Sequence, residues 1–237
     1  MTYRLRRIAA RRGLPRLEFG DRLSRDEFER RYAAMPNVKK AELIDGMVYL
    51  QPADDSADHA GPRTGLSTWL SLYCSYTNGV ETVENRSIRL DAFSMPQPDG
   101  LLRVLPSHGG QTWTSDEGVI EGAPELIAEV ASSTASYDLH DKLEVYRRND
   151  VQEYCVWSVL DERVLWFHLD AGRYELLEPD DAGVLKSHTF PGLWLDTEAL
   201  VGSRLSRVIR VARQGLGTLE HASFVLKLET TADQRRR

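Results

Sequence analysis

Apolar residues recur with two periods in this chain, and the most informative stretch covers residues 124–149. A short apolar run at residues 126–130 contains a single acid, Glu129, and its length is typical of a buried strand. Because side chains alternate along a strand, Glu129 projects to the face opposite Leu126 and Val130. A carboxylate in such a strand is costly to bury unless a cation pairs with it. Glu129 is therefore the first candidate functional residue.

A helix is predicted directly after this strand, at residues 138–148. Leu139, Leu143 and Tyr146 stand at i, i+4 and i+7, the spacing of one buried stripe. Lys142 lies beside that stripe, one turn inside the helix. Glu129 and Lys142 can therefore converge at the end of the strand, either as a structural ion pair or as part of an active site.

A second carboxylate, Asp99, stands at the entrance of another apolar run, residues 101–105. The chain order Asp99, Glu129, Lys142 is that of metal-dependent phosphodiester nucleases. Magnesium is usually held by one or two carboxylates together with waters and substrate phosphate. It lowers the pKa of a bound water, and a lysine beside that water stabilises the developing negative charge.

Local signals predict the remaining elements. Ser24 and Glu27 form a capping box that starts a helix, and Asp45-Gly46 joins two strands in a hairpin, residues 40–44 and 47–50. A helix is predicted at 62–76, strands at 80–84, 87–91, 152–159, 164–169 and 174–178, and a helix at 197–213. Residues 106–123 are predicted to be a polar loop, and residues 214–237 show no clear pattern. This order indicates mixed α/β or α+β architecture.

Composition and charge narrow the class of protein. Hydrophobic residues make up 41% and charged residues 28% of the 237 residues, as in an ordinary soluble globular protein. No apolar run is long enough to span a membrane, and two cysteines without metal-ligand spacing favour a reducing cytoplasm. The formal net charge of -6 argues against a nucleic-acid enzyme, because phosphate binding usually requires a basic surface.

Residues 24–201 resemble the Uma-two family of restriction-type endonucleases, a branch of the PD-(D/E)XK nuclease superfamily. The similarity is carried, in this order, by the segments at residues 42–46, 59, 98–99, 123–130, 136–142, 152–154 and 190–196. The superfamily usually places its lysine two residues after the strand carboxylate, where this chain has Ala131. The Uma-two family carries the lysine on the following helix, which fits Lys142.

The resemblance implies a restriction-endonuclease-like core, a mixed central sheet flanked by helices. It implies that Asp99 and Glu129 are metal ligands for Mg²⁺, with Mn²⁺ as a substitute, and that Lys142 is the catalytic lysine. Glu42 is either an exposed charge on an edge strand or a residue near the metal. His59 is either structural or simply exposed, or it contacts substrate phosphate or supports the residues around the metal. Asp138 either orients Lys142 from the same helix face or is only a helix N-terminal acid.

These observations lead us to expect a Mg²⁺-dependent endonuclease that hydrolyses DNA. The alternatives are a non-catalytic nucleic-acid-binding module, a phosphoesterase acting on another substrate, and a buried charge network without activity. We expect a basic arm at residues 1–19, one nuclease-like domain at 20–202, and a C-terminal helix and tail at 203–237. A homodimer is a further expectation, since nucleases that cut both strands often pair.

Overall fold

The structure, a computed structural model, describes residues 13–50, 57–131 and 137–236; for residues 57–60 and 138 it describes the backbone alone. The helices are α1 (Arg25–Ala33), α2 (Ala57–Tyr76), α3 (Leu143–Arg148), α4 (Thr197–Val201), α5 (Leu205–Leu216) and α6 (Leu219–Arg236). A π-helical turn, Asp138–Lys142, leads directly into α3, and a 3₁₀ turn covers Pro106–His108.

The strands, in chain order, are β1 (Ala41–Ile44), β2 (Met47–Leu50), β3 (Val80–Glu84), β4 (Ile88–Arg89), β5 (Gly100–Val104), β6 (Trp113–Thr114), β7 (Ile120–Glu121), β8 (Leu126–Ala131), β9 (Glu153–Ser158), β10 (Arg163–Asp170), β11 (Arg173–Leu176), β12 (Val184–Lys186) and β13 (Trp194–Asp196). The central sheet has the order β11-β10-β9-β8-β5-β3. Its pairs are antiparallel except β8 and β9, which run parallel because the connection through α3 crosses over between them. The predicted mixed sheet flanked by helices is confirmed.

The two faces of the sheet follow from strand alternation. Leu126, Ala128 and Val130 belong to one apolar cluster together with the α2 residues Trp69 and Leu70. The aromatic residues Trp69 and Tyr73 of α2 are therefore core residues. Alternate β8 residues point to the α3 side of the sheet, and Glu129 shares that face. The carboxylate thus meets the helix that carries Lys142, not α2.

The β1–β2 hairpin forms as predicted around Asp45 and Gly46. Both residues have positive φ, 50° and 77°, which the Asp-Gly pair permits and a two-residue hairpin turn requires. A bridge between Leu43 and Met95 fixes the hairpin beside the segment that leads to β5. This bridge places β1 at the end of the central sheet where Asp99 lies.

The C-terminal region differs from the prediction. The single helix expected at residues 197–213 is two helices, α4 and α5, separated at Gly202, and Ser203 in this break has a positive φ of 54°. Residues 214–237, which show no pattern in the sequence, contain α6. The pattern is weak because α6 buries only His221, Leu228 and Ala232 of its described side chains.

The loop predicted at residues 106–123 is also more regular than expected. It contains the 3₁₀ turn and the short strands β6 and β7, and β7 pairs with β4 and β6. Strands of two residues are too short for any alternation to appear in the sequence.

Among the described residues, no helix is both long and apolar enough to cross a membrane. Of the basic arm predicted at residues 1–19, residues 1–12 lie outside the described residues. Within the described part of the arm, Leu17 is buried beside Phe28 of α1. The domain boundaries at residues 20 and 202 stay predictions.

Candidate active site

Strand pairing brings the two predicted carboxylates together. In the antiparallel β5–β8 pair, Gly100 lies opposite Ala128, so Asp99 and Glu129 continue the same register. The Asp99 N–H donates to Glu129 Oε2 at 3.2 Å, and the Val130 N–H donates to Asp99 Oδ2 at 2.9 Å. Each carboxylate therefore accepts a backbone hydrogen bond from the other strand, which fixes the orientation of both side chains.

Lys142 reaches the same point from the crossover between β8 and β9. Its Nζ lies 2.7 Å from Glu129 Oε1, and its side chain is 1% exposed. The structure thus brings the strand acid and the helix lysine into direct contact. Lys142 Nζ also lies 5.1 Å from the centroid of the Tyr137 ring, where a cation–π interaction adds to the favourable environment of the ammonium.

Glu42 enters this cluster from the hairpin. Glu42 is 1% exposed, so the alternative that it is an exposed charge on an edge strand is wrong. Glu42 Oε1 lies 3.1 Å from Lys142 Nζ and accepts the Gln97 N–H at 2.7 Å. Glu42 Oε2 is buried without a hydrogen-bond partner among the described residues. A buried carboxylate oxygen of this kind is available to a further donor or cation.

Two cations that the sequence did not single out lie on Asp99. Lys40 Nζ and Arg63 Nε are 3.3 Å and 3.4 Å from the same oxygen, Asp99 Oδ1. Burial alone would raise the pKa of Asp99, but Lys40, the Val130 N–H and Arg63 outweigh it and hold the pKa below its ordinary value. Asp99 is therefore ionised at neutral pH.

The charge of Lys40 is maintained in the same way. Burial opposes it, but the carboxylates of Glu42, Glu129 and Asp99 outweigh burial and raise the pKa of Lys40. Lys40 is only 8% exposed, so its ammonium is directed into the cluster and not into bulk solvent.

Tyr146 was expected to be a core residue, and it is fully buried. Its hydroxyl also donates to Glu129 Oε1 at 3.2 Å. Burial raises the pKa of Tyr146 well above its ordinary value, so the hydroxyl stays protonated and remains a donor. The helical spacing predicts only that Tyr146 is buried, and it does not predict a hydrogen bond from the hydroxyl.

Two predicted residues have side chains that lie outside the description. His59 is in the first turn of α2 and Asp138 begins the π-helical turn, but only their backbone is described. Their suggested roles, substrate contact for His59 and orientation of Lys142 for Asp138, stay predictions.

The cluster, which we call the acid–lysine cluster, contains three carboxylates and three cations: Glu42, Asp99 and Glu129 with Lys40, Arg63 and Lys142. Their formal charges cancel. Within the described part of the chain, no three His, Cys, Asp or Glu side chains are arranged to hold a metal ion. The donor set nevertheless fits a hard cation, since Mg²⁺ needs only one or two carboxylates beside waters and phosphate.

Comparison with known proteins supplies the class. Residues 25–198 match the model of the family described as "Uma2: Putative restriction endonuclease", and the chain belongs to this family. The family description supports the interpretation that this protein is a nuclease. Comparison with curated proteins finds no match.

The fold is shared with solved structures. Among them is "a putative nuclease belonging to DUF820" from Anabaena variabilis ATCC 29413, which is 14% identical and superposes with a TM-score of 0.51. The match covers 69% of this chain and 92% of that chain. At this identity the likeness concerns the fold alone.

Proposed function

We propose that this protein is a Mg²⁺-dependent endonuclease that hydrolyses DNA phosphodiester bonds. The observation that carries the proposal is the contact of Glu129 with both Lys142 and the Asp99 backbone, in a chain of a nuclease family. Packing alone does not require two acids and a lysine from three separate elements to meet below the surface, where unpaired charges are costly.

Each residue has a separate role in this proposal. Asp99 and Glu129 would hold the metal ion, and Glu42, whose Oε2 has no hydrogen-bond partner among the described residues, would be available to the ion or to one of its waters. When bound, Mg²⁺ neutralises phosphate charge and lowers the pKa of a coordinated water. Lys142 donates hydrogen bonds to the attacking water and stabilises the negative charge that develops on the phosphate oxygens. Tyr146 keeps Glu129 in place through its hydrogen bond to Oε1, the oxygen that Lys142 also contacts.

The net charge of -6 is compatible with an anionic substrate under this proposal. The six charges of the acid–lysine cluster cancel, so a divalent ion makes the cluster locally positive. Electrostatic attraction over a few ångströms is then set by that local charge, because more distant surface charges are screened by salt within about 10 Å at 0.1 M ionic strength. The homodimer, the cleavage of both DNA strands and the cytoplasmic location stay predictions.

Cleavage of supercoiled plasmid with Mg²⁺, Mn²⁺ or EDTA tests the proposal directly. Wild type is compared with Asp99→Ala and Lys142→Ala, and with the exposed controls Asp170→Ala and Lys39→Ala. We expect nicking by wild type and both controls, abolished by EDTA and by either site substitution. Cleavage that persists in EDTA, or at the wild-type rate in Lys142→Ala, would contradict the proposed mechanism.

A non-catalytic role is favoured by one observation, the neutral pairing of all six charges. In that case DNA binding would be retained without cleavage in any lane. Calorimetric titration with Mn²⁺ then separates the alternatives: metal binding that disappears in Asp99→Ala indicates a metal site with another substrate. If no variant binds the metal, the acid–lysine cluster is a structural charge network.

A further inference from the structure

Lys40 and Arg63 share one oxygen of Asp99, which is an unusual arrangement for a single carboxylate. The other oxygen, Oδ2, accepts the Val130 N–H, so Oδ1 is the oxygen that faces the cations. The Lys40 side chain is 10% exposed and that of Arg63 is 24% exposed. One negative charge therefore has two positive partners, and the more buried of the two is the lysine.

We propose that Lys40 is a built-in cation that occupies the place on Asp99 Oδ1 that a divalent metal ion takes, so that metal binding competes with Lys40. This inference rests on the proposed function, since it assumes that Asp99 is a metal ligand. It assigns a role to Lys40, which lies immediately before β1 and was not a candidate functional residue in the sequence.

The geometry assigns the competition to Lys40, the more buried cation on Asp99 Oδ1, and not to Lys142. The Lys142 ammonium contacts the Oε1 atoms of Glu129 and Glu42. Lys40 instead occupies Asp99 Oδ1, and its carboxylate neighbours include all three acids of the acid–lysine cluster. An ion that binds Asp99 must therefore approach within a few ångströms of the Lys40 ammonium, where like charges repel strongly in a buried site.

Lys40 can also leave without unfolding the hairpin. Ala41 pairs with Leu50 at the end of β1, which fixes the backbone on one side only. The four-carbon lysine stem can rotate while that pairing is kept. A cluster that is neutral without metal thus remains stable when empty, and a metal ion replaces the ammonium instead of adding to it.

Calorimetric titration with Mn²⁺ tests the competition, using wild type, Lys40→Gln, Arg63→Gln and the adjacent exposed control Lys39→Gln. Removing the Lys40 charge leaves the cluster with a net negative charge, so we expect Lys40→Gln to bind Mn²⁺ at least about tenfold more tightly than wild type. Arg63→Gln should tighten binding less, because its charge is more exposed to solvent. Lys39→Gln should bind as wild type does.

A thermal-unfolding series provides a readout independent of activity. Without metal, Lys40→Gln should melt below wild type, because it leaves an uncompensated buried carboxylate. The rise in melting temperature on adding Mn²⁺ should be larger for Lys40→Gln than for wild type. If Lys40→Gln does not fold, Lys40→Met, which also lacks the charge and has a side chain of similar length, takes its place in both measurements.

The outcomes separate this inference from the proposed function. If Asp99→Ala abolishes Mn²⁺ binding while Lys40→Gln binds as weakly as wild type or more weakly, competition by Lys40 is overturned and the metal site remains. If no variant binds Mn²⁺, including Lys40→Gln, the metal site itself is overturned and the inference with it. Binding detected in Lys40→Gln but not in wild type would support both.

Discussion

Two buried acids on neighbouring parallel strands, Glu129 on β8 and Glu153 on β9, show how similar sequence contexts lead to different roles. Both stand in apolar strands, and they are 2% and 0% exposed. Glu129 contacts an ammonium, Lys142, together with a hydroxyl and a backbone N–H. Glu153 is surrounded by neutral donors.

The Glu153 carboxylate is saturated by a loop and a tryptophan. Its oxygens accept the Trp166 Nε1–H at 3.0 Å, the Ser187 hydroxyl at 2.8 Å, and the backbone N–H groups of His188 and Thr189 at 2.7 Å and 2.8 Å. These bonds fix the segment between β12 and β13 to the central sheet. A buried carboxylate enclosed by neutral donors acts as a structural clamp, whereas Glu129, which contacts an ammonium within a cluster of charges, would hold a metal ion under the proposed function.

The largest expected effect is on stability at Glu153. Glu153→Ala removes the partner of the buried Trp166 Nε1–H and of three part-buried donors in the segment between β12 and β13. Each unsatisfied buried group costs about 1–3 kcal/mol. We therefore expect the free energy of unfolding to fall by at least about 3 kcal/mol, measured by urea denaturation. Asp170→Ala, at the exposed end of β10, is the control and should change stability by less than about 0.5 kcal/mol. A loss as small as that of the control would show that the clamp contributes little.

The next effect is on cleavage and distinguishes the two acids directly. Glu129→Gln keeps the size of the side chain but removes the charge that the metal needs. We expect the plasmid-cleavage rate to fall by at least about 100-fold, while the matched variant Glu153→Gln cleaves at a rate close to wild type. Equal losses in both variants would mean that Glu129, like Glu153, acts on the fold and not on the chemistry.

Local sequence patterns predicted most of the elements and part of this site. Glu129 was found because a single acid interrupts an apolar strand, and the hairpin was found because Asp45-Gly46 suits positive φ. Lys142 was found from its position beside a helical stripe. In each case the signal lies within a few residues of the functional group.

The residues that the sequence did not reveal depend on contacts between distant elements. Lys40 meets Asp99 only because the hairpin docks through Leu43 and Met95, and Arg63 only because α2 packs on the adjacent strands. No periodicity encodes these two docking events. The role of Glu153 was hidden for the same reason, since all of its donors except Trp166 lie more than 30 residues away, in Ser187 and its neighbours.

A smaller effect is expected from the hydroxyl of Tyr146. Tyr146→Phe keeps the ring and removes one hydrogen bond to Glu129, which costs about 1 kcal/mol of stability. The loss of this restraint should slow cleavage by roughly fivefold, the factor that corresponds to 1 kcal/mol. Tyr174→Phe is the matched control, because its hydroxyl donates to the Val151 carbonyl at 2.8 Å in the same aromatic group. It should lose similar stability with cleavage unchanged; a cleavage defect in both variants would point to a general packing effect.

The smallest effect is on the pH dependence of the free energy of unfolding. Its sign should differ between Asp99, a carboxylate with cationic partners, and Glu153, the structural clamp. Burial tends to raise the pKa of Asp99, but Lys40, the Val130 N–H and Arg63 lower it below its ordinary value of 3.8. Its contribution to stability is therefore fully present above pH 3.8 and is lost as the pH falls through the lowered folded-state pKa.

Burial raises the pKa of Glu153 above its ordinary value of 4.5 despite its hydrogen bonds. The contribution from its neutral form is fully present below pH 4.5 and is lost as the pH rises through the raised folded-state pKa. Urea denaturation across this pH range measures both, with Asp99→Asn and Glu153→Gln as non-titrating references. The advantage of wild type over Asp99→Asn should shrink on acidification, and its advantage over Glu153→Gln should shrink as the pH rises. Two differences that stay flat with pH, or change in the same direction, would remove the distinction between the two kinds of buried acid.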